Sequence, residues 1–336
     1  MAKGRQMNSK ASGNVSTQSA RLLASGRQVL SLIGHTPLLS LSHIERETPG
    51  VRLFAKAEWF NPGGSVKDRA AASIVAEAER QGLLAPGRRL LDASSGNTAV
   101  AYAMIAAAKG YQATLCVPKN ANPQVLRLLR AHGAEIVLTD PLQGSDGAIQ
   151  EARRLARTQP EIFVYLDQYN NPANWHAHYR TTAEEIWDQT HGAVTHFVAG
   201  LGTTGTFTGT SRRLKELQPS LRAIAVQPDA PLHGLEGLKH LESAIVPGIY
   251  DPAVPDDTRF ISTEDAYHAA QRLVEQEGVL AGSSSGAALA ASLQVATSLA
   301  ASHASGVVVT IFPDSGARYA AEELVATPDD RAFSRW

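Results

Sequence analysis

Along most of this chain, short apolar runs of strand length give way to longer stretches with a helical repeat, and the two kinds of segment alternate. Residues 89–93, 112–117, 135–138 and 162–165 have the length and apolar character of strands. Between them the pattern predicts helices over 99–109, 123–132 and 145–157; the first ends at Gly110, and the second opens near Pro123 and stops at Gly133. The second half continues in the same style. A helix is expected over about 177–190, a strand over 196–199, a glycine loop and helix to Leu217, and a strand over 222–227. Residues 228–255 lack clean periodicity and read as a long irregular insertion. A helix over 263–276, a strand-like run and serine-glycine turn over 280–286, an alanine-rich helix and a strand over 307–312 follow. Upstream, residues 33–39 read as a turn feeding an extended segment, since residues before proline avoid the α region, and 51–58 as a strand. Strands alternating with helices in this way predict mostly parallel sheets with helices on both faces.

The 336 residues suffice for two lobes, and the first 20 or so offer almost nothing to bury. We expect tails at 1–20 and 329–336, an N-terminal lobe over 21–170 whose first strands could pack on the other lobe, and a C-terminal lobe over 171–328. Hydrophobic content of 43%, charged content of 19% and a net charge of -1 suit a globular enzyme and give no electrostatic case for nucleic acid or an acidic membrane. Apolar runs fall short of the ~20 residues of a membrane span, and the N-terminus has no signal-peptide core, so the cytoplasm is expected. Cys116, the single cysteine, lies in an apolar run and reads as a buried structural thiol. The 11 histidines show no metal-ligand spacing, and no metal is expected.

In open α/β sheets ligands bind at the carboxyl ends of strands, so chemistry is sought in the loops that follow strands. Asp92-Ala93-Ser94-Ser95-Gly96-Asn97-Thr98 could present backbone N–H groups to a carboxylate, or simply cap a helix. Gly200-Leu201-Gly202-Thr203-Thr204-Gly205-Thr206 has the composition of a phosphate cradle. It also matches GxGxxG, but the residues near the next strand end are Gln227 and Asp229, a loose fit to a dinucleotide fingerprint. Ser283-Ser284-Ser285-Gly286 could bond an uncharged heteroaromatic nitrogen, or cap a helix. Finally, Asn61-Pro62-Gly63-Gly64-Ser65-Val66-Lys67-Asp68-Arg69 puts Lys67 behind a Pro-Gly-Gly turn, in the first turn of a helix that Ser65 could cap. Helix dipole and burial both lower a lysine pKa there, which suits an amine nucleophile; a surface lysine beside Asp68 is the alternative.

These motifs, in this order and with the PDSG-type segment near the C-terminus, resemble the fold-type II pyridoxal-phosphate enzymes, in particular the cysteine synthase and cystathionine β-synthase group, over about residues 30–324. Gln168-Tyr169-Asn170-Asn171-Pro172-Ala173-Asn174, with His178 and Thr181-Thr182, is also similar to this group. The resemblance implies a tryptophan synthase β-like, two-lobed three-layer α/β/α sandwich, a homodimer, and pyridoxal 5'-phosphate as cofactor. Lys67 would carry the cofactor as a Schiff base and move protons at the substrate α-carbon. Asn97 would bond the cofactor's ring hydroxyl, Gly202, Thr203, Thr204, Gly205 and Thr206 its phosphate, and Ser284 its ring nitrogen. Ser94, Ser95, Gly96, Thr98 and Gln168 would bind the substrate carboxylate and close the site. The implied reaction is β-replacement: an activated serine, O-acetylserine or O-phosphoserine, passes through an aminoacrylate to L-cysteine with sulfide or another sulfur donor. Cystathionine β-synthesis, a nicotinamide-dependent oxidoreductase and a silent binding protein are the alternatives. The chain departs from the family pattern at Ser94 (commonly threonine), Ala99 (glycine) and Thr204, where acetylserine-type enzymes usually have glycine and some phosphoserine users threonine. Lys239 or His233, within 231–249 where the family sets leaving-group specificity, could meet a substrate phosphate or remain solvated.

Overall fold

The computed structural model describes residues 28–319, and the expected tails at 1–20 and 329–336 lie outside them. The strands are β1 (Leu38–Ser40), β2 (Val51–Ala57), β3 (Arg89–Ala93), β4 (Gln112–Pro118), β5 (Glu135–Thr139), β6 (Phe163–Tyr165), β7 (His196–Gly200), β8 (Arg222–Pro228), β9 (Asp257–Ile261) and β10 (Gly306–Phe312). The α-helices are α1 (Lys67–Arg80), α2 (Asn97–Lys109), α3 (Pro123–Ala131), α4 (Gly144–Thr158), α5 (Ala173–Arg180), α6 (Thr182–Gln189), α7 (Gly205–Leu217), α8 (Thr263–Glu277) and α9 (Ser283–Ala301). They surround two sheets, one of order β1-β2-β10-β7-β8-β9 and one of order β5-β4-β3-β6. Every pairing is parallel except β1 with β2.

Both sheets are covered on both faces. In β3, Leu90 packs into the cluster around Tyr102 of α2, whereas Leu91 and Ala93 point the other way, onto Ile149 and Ala152 of α4. In β7, Val198 faces α9, while Phe197 and Ala199 face Phe207 and Leu214 of α7. Strict alternation into two apolar layers is what a parallel sheet between helices requires. Cys116 is part of the cluster on α4, and burial pushes its thiol up to about 12, so it is a packing residue.

Three local expectations change. The helix expected over 177–190 is two helices broken at Thr181 (φ -126°, ψ -66°). Thr181 donates its hydroxyl back to the Ala177 carbonyl (2.7 Å) and accepts from Arg69 (3.1 Å), which draws the backbone out of register there. The irregular insertion is followed by β9, an edge strand whose five residues gave no clear alternation. The run at 280–282 is not a strand; Ala281 makes a single bridge to Ser315.

The register decides where a site can form. Phe312 of β10 lies beside Ala57 of β2, and the end of β7 at Gly200 points the same way. The loops leaving these three strands therefore meet at one edge: the segment before Lys67, the segment after Phe312, and the glycine loop.

Candidate active site

Lys67 is the first residue of α1. The turn before it closes with Gly64 N–H donating to the Asn61 carbonyl (2.8 Å), Gly64 standing at φ +81°. Asp68 accepts from the Gly63 N–H (2.5 Å), and burial pushes its carboxyl up to about 7. Ser65 does act at the helix start, its hydroxyl accepting the Lys67 N–H at 3.3 Å. Burial lowers the Lys67 pKa, with Asp314 and then Glu58 as opposing charges. A pocket lysine whose ammonium is disfavoured by burial is equipped to attack a carbonyl.

An inner pocket brings together Lys67, Asn97, Gly202, Thr203, Thr204, Thr206 and Ser284. The glycine loop forms its floor and leads into the N-terminus of α7, where free N–H groups and the helix dipole favour an anion. A Cβ on Gly202 would lie 2.2 Å from the Gly237 carbonyl, so only glycine fits beneath the insertion. Gly205 stands behind the pocket, where a Cβ would meet Asn174 Oδ1 at 2.0 Å. Two supports had no role assigned from the sequence. Asn174 donates to the Thr203 hydroxyl (3.1 Å) and the Gln168 carbonyl (2.7 Å), and His178, buried between Thr206 (3.2 Å) and Thr182 (2.9 Å), steadies the loop from α5. Burial, then Arg69 and Lys67, hold His178 well below the ordinary histidine pKa, so it serves as a neutral hydrogen-bond bridge.

Thr204 is held at φ +71°, a left-handed conformation that β-branched residues avoid, and its buried hydroxyl has no partner among the described residues. Strain and an unmet polar group in a cradle suit a position reserved for a ligand. Thr204→Gly should therefore stabilise the cofactor-free protein by about 1 kcal/mol while weakening its hold on a phosphate. Urea unfolding and phosphate-ester titration check the two signs, and a variant that loses both stability and affinity contradicts the account.

The loop of Ser94 to Thr98 enters from the other sheet. Ser94 Oγ accepts the Gly96 N–H (3.2 Å), and Asn97 starts α2 beside the inner pocket. Thr98 and Gln168 lie buried behind the loop and bind one another: Thr98 donates to Gln168 Oε1 (2.8 Å), and Gln168 Nε2 donates to the Ala93 carbonyl (2.7 Å). Asp92 accepts from Gln168 N–H (3.2 Å), and burial pushes its carboxyl up to about 7. Ser95 faces a larger outer cleft of about 720 Å³ that also meets His233, Glu236, Lys239, Asp146 and Ser283. Glu236, Gly237 and Leu238 line both spaces. Lys239 is paired with Asp146 (3.1 Å) and lies over the Tyr169 ring (5.1 Å), so it is neither solvated nor idle. His233 accepts the Leu235 N–H (3.2 Å), and burial lowers its pKa, which disfavours the imidazolium a phosphate would need.

Residues 29–314 match the family described as pyridoxal-phosphate dependent enzyme. The chain belongs to that family. Within it, the chain is 49% identical over 303 residues to a cysteine synthase of Aquifex aeolicus, covering 90% of this chain and 93% of that one. It also superposes on a cysteine synthase of Entamoeba histolytica with a TM-score of 0.85 at 32% identity, covering 98% and 96% of the two chains. An O-acetylserine dependent cystathionine beta-synthase of Helicobacter pylori gives a TM-score of 0.83 at 32% identity over 89% and 99%. The protein is thus a fold-type II, pyridoxal-phosphate-dependent enzyme of the cysteine synthase group, and the nicotinamide alternative falls. Gln227, where a ribose-binding acid would stand, is occupied as the acceptor of the Leu241 N–H (3.1 Å). The pocket fits the cofactor on its own terms: a desolvated amine, a strained cradle with an unmet hydroxyl, and the neutral Ser284 face one space. Among the described residues, no helix is long and apolar enough to cross a membrane.

Proposed function

We propose that this enzyme makes L-cysteine by β-replacement on an activated serine. The observation that carries the reading is the meeting of Lys67, Asn97, the Gly202 to Thr206 cradle and Ser284 in one pocket, which shares Glu236, Gly237 and Leu238 with the outer cleft that Ser95 lines. When bound, pyridoxal phosphate supplies an electron sink at the substrate α-carbon. In this reading Lys67 holds the cofactor covalently and later takes and returns the α-proton. The N–H groups opening α7, with Thr203, Thr204 and Thr206, hold the phosphate. The hydroxyl of Ser284 carries no charge, so it would hold a cofactor ring nitrogen without protonating it and keep the sink moderate, which suits β-elimination better than transamination. Ser94, Ser95 and Gly96 orient the substrate carboxylate, and Thr98 with Gln168 shapes their loop from behind. Sulfide or another small sulfur donor then reaches the substrate β-carbon through the outer cleft.

Two donors fit. The cleft carries Asp146 and Glu236, and the charge of Lys239 is already balanced by Asp146, which favours an uncharged acetyl leaving group. Lys239 is also the cation through which a phosphate could be accepted if Asp146 gave it up, which favours O-phosphoserine. Purified protein should show a visible band with pyridoxal phosphate, and O-acetylserine and O-phosphoserine offered separately should change that band for the true donor alone. No band with excess cofactor would sink the proposal. If phosphoserine is the donor, Lys239→Ala should cost about tenfold in kcat/KM for it and little for acetylserine; equal losses would remove Lys239 from donor recognition. Homocysteine as acceptor is the second reading, favoured by the likeness to the Helicobacter pylori enzyme. We further propose a cytoplasmic homodimer of two lobes divided near residue 170, with β1 and β2 belonging to the second; the two separate sheets support the division.

A further inference from the structure

The PDSG segment after β10 ties together three of the segments that face the cofactor pocket, those of Lys67, Ser284 and Asn97. Towards Lys67, the Pro313 carbonyl accepts the Val66 N–H (2.8 Å), Asp314 bridges to Ser65, and Arg318 donates to the Gly63 carbonyl (2.7 Å). Towards Ser284, the Gly282 N–H donates to the Asp314 carbonyl (3.3 Å), Ser315 bridges to Ala281, and the Gly316 N–H donates to the Leu280 carbonyl (3.1 Å). Towards the loop of Ser94 to Thr98, both ends of one side-chain amide are engaged. Asn97 Nδ2 donates to Asp314 Oδ2 at 2.6 Å, and Arg318 donates to Asn97 Oδ1. Tyr319 donates to the same Asp314 oxygen at 2.5 Å, and Asp314 is 1% exposed.

Chemistry fixes which way this amide faces. A guanidinium has only donors and a carboxylate only acceptors, so Arg318 must meet the amide oxygen and Asp314 the amide nitrogen. Either contact alone would leave the amide free to turn; together they allow one orientation. The nitrogen has two hydrogens, and Asp314 takes one. The other is left to donate into the inner pocket, towards an acceptor such as a phenolic oxygen on a cofactor ring.

We infer that Asp314 and Arg318 are positioning residues that lock Asn97 as a hydrogen-bond donor to the cofactor's ring oxygen, on a segment that also holds the Lys67 and Ser284 loops. The inference rests on the cofactor reading proposed above. It is tested by titrating the cofactor-free protein with pyridoxal phosphate, followed by the visible band and by tryptophan fluorescence, in Asn97→Ala, Arg318→Ala, the double variant and the isosteric Asp314→Asn. Urea midpoints of the same cofactor-free proteins are measured alongside. Arg318→Ala should weaken cofactor binding about tenfold, the worth of one charge-assisted hydrogen bond. Added to Asn97→Ala it should weaken binding much less than it does alone, because the amide it locks is then gone and only its contact with the Gly63 carbonyl is left to lose. Asp314→Asn, which keeps shape and folding, should weaken binding in the same direction. A merely structural Arg318 predicts instead equal losses with and without Asn97, tracking the urea midpoint, and that result overturns the inference. So does unchanged affinity in both Arg318→Ala and Asp314→Asn. If wild type fails to bind the cofactor, the proposed function falls with it; if wild type binds and only these variants behave normally, the inference alone falls.

Discussion

Replacing Lys67 by alanine is expected to remove the visible band of the cofactor-loaded protein and to cut turnover by at least about a thousandfold, the scale of a positioned acid-base group plus a covalent anchor. Both functions pass through one nitrogen, so no neighbour can supply them. Lys56, another deeply buried lysine, is bound to Glu185 (2.6 Å) and to the Thr36 carbonyl (2.5 Å) and does not line the inner pocket. The wild-type amine should also load the cofactor at lower pH than an ordinary lysine. Burial disfavours the ammonium, so the reactive neutral form persists below the usual value of 10.5, and the loading rate should rise with pH through a midpoint under that figure. Stopped-flow absorbance across pH reads this directly. A midpoint at or above 10.5 would show that Asp314 and Glu58 outweigh desolvation. Residual turnover in Lys67→Ala near wild-type rates would end the Schiff-base account.

How much of this was legible beforehand depends on whether a residue acts through its own side chain or through a neighbour's. Lys67, Thr203, Thr204 and Ser284 sit in loops or in the first turn of the helix that follows one, in segments whose composition announces a function, and strand-helix alternation places such segments at strand ends. Asn174, His178, Asp314 and Arg318 act by holding those residues from elsewhere in the chain, and Arg318 lies 221 positions from the Asn97 it contacts. Nothing local marks such partners. The glycines tell the same story: the need for glycine at 205 comes from Asn174, a contact that only the packed structure reveals. In the fold, the strongly patterned elements were clear, whereas the split at Thr181 depended on Arg69 reaching over from α1. The edge strand β9 depended on its pairing with β8.

Arg69→Met is expected to cost about 3–5 kcal/mol of stability, the scale for stranding a buried charge. Two residues after Lys67, Arg69 runs into a nearly dry ionic network: its guanidinium binds Glu58 at 2.7 and 2.9 Å and Glu185 at 2.6 and 2.8 Å, and Glu58 is 0% exposed. Methionine fills much of the space but leaves Glu58 only Thr36 (2.7 Å) and Asn61 (2.9 Å) as donors. Adding Glu58→Gln should recover part of the loss, because the stranded charge is then gone. If the double variant is no more stable than Arg69→Met, lost packing and not charge sets the cost. The pH dependence gives an independent reading. Burial raises the Glu185 pKa, but Arg69 and then Lys56 outweigh it and hold the carboxyl at about 2, against an ordinary 4.5. A depressed acid contributes stability that is complete above 4.5 and lost as pH falls towards 2. Asp68 and Asp92 act in the opposite sense: raised from 3.8 to about 7, they make stability decline as pH climbs between those values. On these three groups wild type should thus be most stable at about pH 4, where the single acid limb gives way to the two-carboxyl decline, with losses on both sides. Arg69→Met deprives Glu185 of its stronger partner and should flatten the acid limb, while the alkaline limb, set mainly by the burial of Asp68 and Asp92, should persist.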